Sequence, residues 1–194
     1  MAFLGGAFFG RGPGHAQVLA ILYGSTSLED STEMNDAKGK VYIAGPLFTQ
    51  AERQWNVALA AKLSGLGYDV ILPQERARRM IIEEKNFNPR LLFEHAIQSL
   101  RECDVVLAIL DGPDPDSGTS WECGYAFAIA KNVIGVRTDI RRGGDDPKNV
   151  NLMLSNCVES IIDASSFTED VNELAKRIDE NLASLNLDRS RHAG

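Results

Sequence analysis

The chain has 194 residues, of which 44% are hydrophobic, and a formal net charge of −7. This length suffices for one globular domain with a sizeable core. An acidic chain without a run rich in lysine or arginine is not expected to bind a nucleic-acid backbone, which requires a basic surface. Small nucleosides and nucleotides are not excluded as ligands, and no apolar stretch is long enough to span a membrane.

The two ends of the chain differ from its middle in composition. Residues 1–39 are predicted to form a loosely ordered extension and a polar, acidic linker, because glycine, proline and arginine interrupt the apolar start. The domain proper is predicted to span residues 40–185. A polar tail is predicted to follow at residues 186–194.

The three cysteines indicate the redox environment in which the protein works. Cys103, Cys123 and Cys157 lack the spacing of a metal site. They are typical of buried thiols in a reducing compartment, which indicates a cytoplasmic protein.

Apolar runs and turn residues predict five strands that alternate with helices. The strands are predicted at residues 41–44, 68–72, 104–110, 133–136 and 158–162, and the helices at residues 51–64, 89–102, 119–131, from 151 onwards, and after a cap at Ser165 or Ser166. The charged segment 76–88 is interpreted as a lid or a short helix. This alternation indicates an α/β fold, a doubly wound, flavodoxin-like five-stranded parallel sheet with helices on both faces.

Apolar side chains at helical spacing predict the buried face of each long helix. In chain order, these inward stripes are Trp55, Leu59 and Leu63, then Phe93, Ile97 and Leu100, then Val171, Leu174, Ile178, Leu182 and Leu185.

The acidic loop at residues 111–118 is the expected ligand site, because the crevice of an open parallel sheet lies at the carboxyl ends of its strands. Just after it, Thr119 and Glu122 have the Ser/Thr-x-x-Glu form of a capping box, which is the more conservative interpretation. The alternative makes Glu122 a nucleophile. A carboxylate near a helix N-terminus is held in its charged form by the helix dipole. It can then attack a sugar carbon with oxocarbenium character.

Three further residues also have two interpretations each. Asp116 either bonds its own backbone in a turn or passes a proton to a leaving base. Asp111, at the end of its strand, is either a turn former, which is the more common case, or a site residue. Tyr42, on the strand expected to be central, is either a core residue or a hydroxyl that orients a nearby carboxylate.

Four segments, in this order, together resemble the nucleoside 2-deoxyribosyltransferase family. They are Tyr42–Phe48 (YIAGPLF), Cys103–Ala108 (CDVVLA), Asp116–Ala126 (DSGTSWECGYA) and Asn151–Leu154 (NLML). The D-x-G-T-x-x-E-x-G-x-A pattern is fairly specific, whereas Y-I-A-G-P alone is weak.

The resemblance implies a reaction in which 2-deoxyribose passes from a deoxynucleoside to Glu122 and then to a second nucleobase, with retention, or to water. It implies that Asp116 contacts the base, that Tyr42 positions the nucleophile, and that Asn151 reaches the active site of a neighbouring subunit. Further expected substrate contacts are Gly45, Phe48, Gln74, Asp111, Ser117, Gly118 and Met153. No metal or organic cofactor is implied. The implied partners are deoxynucleosides, free nucleobases and further copies of the chain in a homo-oligomer.

One position departs from the family pattern. Ala96 stands eight residues before Asp104, where many members carry an acid that is thought to hold the sugar hydroxyls. Its neighbours Glu94 and His95 are polar, but neither occupies the matching position.

Two other functions fit the same residues. A hydrolase of 2′-deoxynucleoside 5′-monophosphates would need a phosphate pocket, for which the candidates are Ser117, Arg137, Arg141 and Arg142. The glycine- and serine-rich first loop expected of that subgroup is replaced by Pro46–Phe48. A non-catalytic nucleotide-binding module would keep the fold without turnover. The presence of Glu122 and Asp116 argues against that module, and Ala96 argues mildly for it.

Overall fold

A computed structural model describes residues 37–85, 87–141 and 150–185. The predicted tail at 186–194 and nearly all of the predicted extension at 1–39 lie outside the described residues. Within these ranges, no helix is both long and apolar enough to cross a membrane.

A five-stranded, all-parallel sheet organises the domain. Its strands are β1 (Lys40–Ala44), β2 (Asp69–Ile71), β3 (Val105–Ile109), β4 (Asn132–Arg137) and β5 (Ser160–Asp163). They pair in the order β2-β1-β3-β4-β5. The predicted flavodoxin-like fold is therefore confirmed, although the central strand is β3 rather than β1.

Helices cover both faces of this sheet. They are α1 (Gln50–Gly65), α2 (Pro73–Ile82), α3 (Pro89–Glu102), α4 (Ser117–Ala128), α5 (Leu152–Cys157) and α6 (Val171–Ser184). Successive residues of a strand point to opposite faces. Val41 and Ile43 accordingly join a core cluster with residues of α1 and α6, whereas Tyr42 and Ala44 join a second cluster with residues of α3, α4 and α5.

The inward stripes are mostly confirmed. Leu59 and Leu63 of α1 and Leu174, Ile178 and Leu182 of α6 are at most 2% exposed. Phe93 of α3 is the exception, since it is 46% exposed and its ring lies 5.7 Å from that of Trp121 on α4.

Two predicted helix caps are wrong. Asp116 caps α4, because its side chain accepts a hydrogen bond from the Thr119 backbone N–H at 2.9 Å. The capping box of Thr119 and Glu122 is therefore absent, and Glu122 lies inside the helix. Asp170, rather than Ser165 or Ser166, caps α6, because its side chain accepts hydrogen bonds from the backbone N–H groups of Asn172 and Glu173.

Helix α2 also begins earlier than the charged segment suggested. Pro73 takes its first turn, where the missing N–H of proline costs no hydrogen bond. Gln74 and Arg76 consequently lie within this helix. Arg137, just outside the strand predicted at 133–136, is the last residue of β4 and is only 3% exposed.

Gly45, directly after β1, allows a close approach between β1 and β3. A Cβ built at Gly45 would lie 2.9 Å from Cγ1 and 3.2 Å from Cβ of Ile109, a side chain held in the core. We expect Gly45→Ala to lower the free energy of unfolding by about 1–3 kcal/mol, the usual cost of overpacking. Urea denaturation measures this change. Gly65→Ala is the control, since a Cβ there meets no atom within 4 Å, and an equal loss in both variants would contradict the steric explanation.

Candidate active site

A buried tyrosine on β1 and a carboxylate on α4 form the centre of the site. The Tyr42 hydroxyl donates a hydrogen bond to Oε1 of Glu122 at 2.6 Å, although the two residues are 80 positions apart. Tyr42 has no exposed surface, and Glu122 is half-buried. The predicted orientation of a carboxylate by Tyr42 is thus present in the structure.

Burial controls the protonation of this pair. Burial raises the pKa of Glu122, the hydrogen bond from Tyr42 lowers it, and the negative charge of Asp116 raises it, so that the net pKa is about 7. The burial of Tyr42 and the charge of Glu122 raise the pKa of the tyrosine, which therefore remains a hydrogen-bond donor. The predicted effect of the helix dipole does not keep Glu122 fully ionised, because desolvation disfavours the charged form. Near pH 7 the carboxyl is poised between its two states.

Glu122 and Tyr42 open onto a cavity of about 440 Å³. Its walls come from the loop after β1, from α2 and from α3, and they are mainly apolar, with the rings of Phe87 and Phe93 among them. A concave, mainly apolar cavity with a few converging polar groups is typical of small-molecule sites.

A second cavity, of about 680 Å³, is lined by the acidic loop after β3. Asp111, Asp114, Asp116 and Asp139 all contribute to its wall, together with Phe48, which is 69% exposed. The predicted contacts Asp111, Asp116 and Phe48 therefore lie together, in a different cavity from Glu122.

Internal hydrogen bonds already occupy three of these carboxylates, and that of Asp139 accepts bonds from the Gly112 N–H and from Arg141. Oδ2 of Asp116 accepts bonds from the backbone N–H and, at 3.2 Å, from the hydroxyl of Thr119. Asp111 accepts bonds at 2.5 Å from the backbone N–H and from the hydroxyl of Thr138, and a third, at 3.0 Å, from Asp139. Asp116 thus bonds the backbone just after it, as the cap of α4, whereas Asp111 joins its loop to the segment after β4 and does not close a turn of its own. Proton transfer by Asp116 stays a prediction.

Arg137 holds the acidic loop to the sheet. Its Nη1 donates to the carbonyl oxygens of Leu110 at 2.7 Å and Gly112 at 3.0 Å. Arg141 pairs with Asp139 at 2.6 Å, and Arg142 lies outside the described residues. The two described arginines that were candidates for a phosphate pocket are therefore engaged within the protein.

Asn151 and Met153 lie at a third cavity, of about 570 Å³, between α4 and α5. Oδ1 of Asn151 accepts a bond from the Met153 N–H at 2.9 Å and so caps α5. Large apolar side chains are exposed around this cavity, with Phe127 at 61%, Leu152 at 59% and Met153 at 72%. The role of Asn151 in a neighbouring subunit stays a prediction.

The remaining predicted contacts differ in their accessibility. Gln74 is 6% exposed, and its amide accepts a bond from Asn56 at 3.0 Å and donates one to the Arg53 carbonyl at 2.9 Å. These two hydrogen bonds join α2 to α1 in the protein interior. Ser117 and Gly118 are exposed in the first turn of α4.

Arg76 and His95 line the same cavity as Glu122. The sequence offered His95 only as a possible substitute for the acid missing at Ala96, and it did not point to Arg76 as a site residue. The position of Arg76 just after β2 was a usable signal, because ligands bind at the carboxyl ends of strands. Ala96 lines this cavity as well, and of its neighbours only His95 does so, since Glu94 pairs with Arg90 at 2.7 Å on the exposed face of α3. Within the described ranges, no group of three or more histidine, cysteine, aspartate and glutamate side chains is placed to hold a metal ion.

Comparison with known proteins identifies relatives of this domain. The family model described as nucleoside 2-deoxyribosyltransferase matches residues 41–153. A relative from Thermofilum pendens, described as putative 2′-deoxynucleoside 5′-phosphate N-hydrolase 1, is 34% identical over 98 residues. The matched region covers 50% of this chain and 66% of that relative, just under two thirds of its length.

Solved structures agree on the fold. A conserved protein from Enterococcus faecalis superposes with a TM-score of 0.59 at 26% identity, covering 73% of this chain and 98% of that one. A 2-deoxyribosyltransferase from Bacillus psychrosaccharolyticus superposes with a TM-score of 0.56 at 23% identity, covering 74% of this chain and 95% of that one. At 23% identity, the similarity to the second of these structures shows the fold alone.

Proposed function

The chain belongs to the nucleoside 2-deoxyribosyltransferase family, and we propose that it moves 2-deoxyribose between nucleobases through a covalent ester on Glu122. The observation that carries this proposal is the 2.6 Å hydrogen bond from Tyr42 to Glu122 at the wall of an apolar cavity. A carboxylate oriented by one buried donor, with its other oxygen uncommitted by that bond, is suited to attack an electrophilic carbon.

The proposed reaction has two displacement steps at the anomeric carbon C1′. In the first, an oxygen of Glu122 bonds to C1′ as the bond from C1′ to the base nitrogen breaks, and the base leaves with that electron pair and takes up a proton on that nitrogen. In the second, a nitrogen of the incoming base attacks C1′ and gives up its proton, and Glu122 leaves as a carboxylate. Two inversions give net retention, as in retaining glycosidases. Attack by water instead of a base gives hydrolysis.

Both protonation states of Glu122 occur near neutral pH, because burial raises its pKa to about 7. Only the carboxylate is a nucleophile. The hydrogen bond from Tyr42 favours this charged form, and the Asp116 carboxylate opposes it. We propose that these two residues set the pH at which Glu122 becomes active.

The principal alternative is hydrolysis of 2′-deoxynucleoside 5′-monophosphates. The relative from Thermofilum pendens supports it through its description. A phosphate needs several free donors or cations, whereas Arg137 and Arg141 are bound to carbonyls and to Asp139. These bonds favour nucleosides over nucleotides as substrates.

We also propose that the enzyme works as a homo-oligomer in the cytoplasm. The exposed apolar residues near Asn151, which include Phe127, Leu152 and Met153, support an interface with a second copy. The free cysteines support a reducing compartment.

A base-exchange assay tests the proposed reaction. Deoxyinosine is incubated with free adenine or free thymine, and the products are separated by chromatography. We expect the new deoxynucleoside together with hypoxanthine. Release of base from deoxynucleoside 5′-monophosphates alone would replace transfer by hydrolysis, and no product from either substrate class would contradict an enzymatic role.

A further inference from the structure

A buried asparagine of α1 lies in the wall of the second cavity. Asn56 is 3% exposed, and it lines this cavity. The same wall holds Asp116 and the aromatic rings of Phe48 and Trp55. Oδ1 of Asn56 lies beside Gly45, since a Cβ built there would be 3.9 Å from that oxygen. Asn56 is thus placed at the carboxyl end of β1, and ligands of parallel sheets bind at the carboxyl ends of the strands.

Hydrogen bonds inside the protein fix the orientation of the Asn56 amide. Its Nδ2 donates to the Pro46 carbonyl oxygen and to Oε1 of Gln74, both at 3.0 Å. Nε2 of Gln74 donates in turn to the Arg53 carbonyl oxygen at 2.9 Å. A carbonyl oxygen only accepts, so Pro46 and Arg53 each require a nitrogen opposite them. Neither amide can therefore exchange its oxygen and its nitrogen without losing hydrogen bonds.

This network leaves one polar atom of Asn56 unused. An amide nitrogen carries two N–H groups, and both are spent on Pro46 and Gln74. Oδ1 has no hydrogen-bond partner among the residues that the structure describes. Because a nearly buried carbonyl oxygen is normally paired, this atom calls for a donor that enters the cavity.

The other polar groups of the wall are mainly acceptors as well. Its described residues carry five carboxyl groups and one guanidinium. Asp116 uses Oδ2 for the cap of α4 and keeps Oδ1 free. Glu52 uses Oε2 for two backbone N–H groups just before α1 and keeps Oε1 free. The guanidinium, that of Arg141, is paired with Asp139, so free acceptors predominate over free donors.

We infer that Asn56 binds the nucleobase and selects 2′-deoxynucleosides whose base has an exocyclic amino group, adenine or cytosine, over those with the oxo analogues, hypoxanthine or uracil. An amino group donates to Oδ1 of Asn56, whereas an oxo oxygen faces another acceptor. Gln74, an expected base contact, acts by holding Asn56 in this orientation. The inference rests on the proposed function, and it agrees with the base contact implied for Asp116, which lines the same cavity.

Matched substrates test the inference. The kcat/KM for base release is measured with deoxyadenosine against deoxyinosine and with deoxycytidine against deoxyuridine. Purine 2′-deoxyriboside, which has hydrogen in place of the amino group, separates the missing donor from the added oxygen. We expect the wild-type protein to favour the amino member of each pair by about 10- to 100-fold, with purine 2′-deoxyriboside between deoxyadenosine and deoxyinosine. A preference for the oxo members would overturn the inference.

Three variants identify the role of Asn56. Asn56→Leu keeps the approximate size of the side chain without its oxygen, and it should lower kcat/KM for the amino members by the same factor and remove the preference. Gln74→Met frees the Asn56 amide on one side and should weaken the preference. Asn181→Leu is the control and should keep the wild-type ratio, because Asn181 bonds Ser160 and lines none of the three cavities.

The ratio within a pair reports the site rather than stability, because a loss of folded protein lowers both members equally. If Asn56→Leu does not fold, Gln74→Met and the wild-type measurements decide. A wild-type ratio retained in Asn56→Leu, or in Gln74→Met where Asn56→Leu does not fold, would overturn the inference.

Failure of the proposed function would look different. The wild-type protein would then release no base from any of these nucleosides. Calorimetric binding of free adenine and free hypoxanthine still tests Asn56 in that case. Tighter binding of adenine that disappears in Asn56→Leu would uphold the inference, and equal or absent binding of the two bases would refute it.

Discussion

Replacing Glu122 by glutamine is expected to remove turnover and, at the same time, to stabilise the folded protein at neutral pH. Glutamine has nearly the same shape, and its carbonyl oxygen can accept the hydrogen bond that Tyr42 donates to Glu122. It cannot form the sugar ester. Loss of a nucleophile lowers kcat by roughly 10⁴- to 10⁶-fold in other enzymes that use covalent catalysis, and we expect a loss on this scale.

The gain in stability follows from the pKa of Glu122. Burial raises it from an ordinary value of 4.5 to about 7, so folding takes up a proton between these two pH values. The contribution of the protonated carboxyl to stability is fully present below pH 4.5 and is lost as the pH rises through 7. By linkage, the loss reaches about 3 kcal/mol. Glutamine stays neutral and avoids this loss.

Urea denaturation of both proteins between pH 4 and pH 8 measures the effect. The free energy of unfolding of Glu122→Gln should exceed that of the wild type at pH 8, and the difference should shrink towards pH 4. Glu94→Gln is the control, because Glu94 is exposed and pairs only with Arg90 among the described contacts. Its effect should stay within about 0.5 kcal/mol at every pH. Retained base exchange in Glu122→Gln would show that another group is the nucleophile.

The sequence predicts the fold well because the strands are short apolar runs separated by turn residues. β3, for example, is five consecutive buried residues, and such a run is readable without knowledge of its partners. Helix starts are harder to predict. Asp116 competes with Thr119 for the cap of α4, and Asp170 competes with Ser165 for that of α6. All four are competent cap residues, so composition alone does not decide between them.

The sequence pointed to Tyr42 and Glu122 as candidate site residues, but it did not predict their environment. Tyr42 and Glu122 each had two interpretations, and the sequence resemblance joined them. The raised pKa of Glu122 comes mainly from its burial in the folded protein, where residues of α2 and α3 line the same cavity. No local sequence pattern reports that burial. Arg76 was missed for a related reason, since its contact with His95 joins two helices, α2 and α3.

The second large effect is expected for Tyr42→Phe, which removes one hydroxyl and keeps the ring in the core. Tyr42 provides a hydrogen-bond donor to the Glu122 carboxylate, and this bond lowers the pKa of Glu122. Without it, that pKa rises above about 7, and less of the nucleophile is ionised at neutral pH. A hydrogen bond to a charged group contributes about 1.5–3 kcal/mol, so kcat/KM at pH 7 should fall by about 10- to 100-fold.

The pH profile separates this explanation from simple damage to the site. Since kcat/KM reports the free enzyme, its rise with pH should move to higher pH in Tyr42→Phe, and the deficit should narrow in alkaline solution. Asp116→Asn should move the rise to lower pH, because it removes the negative charge that raises the pKa of Glu122 while asparagine still caps α4. If the pH at which kcat/KM rises moves in opposite directions in the two variants, Tyr42 and Asp116 act through the charge of Glu122. Profiles that keep the wild-type midpoint would refute that coupling and leave Tyr42 as a packing residue.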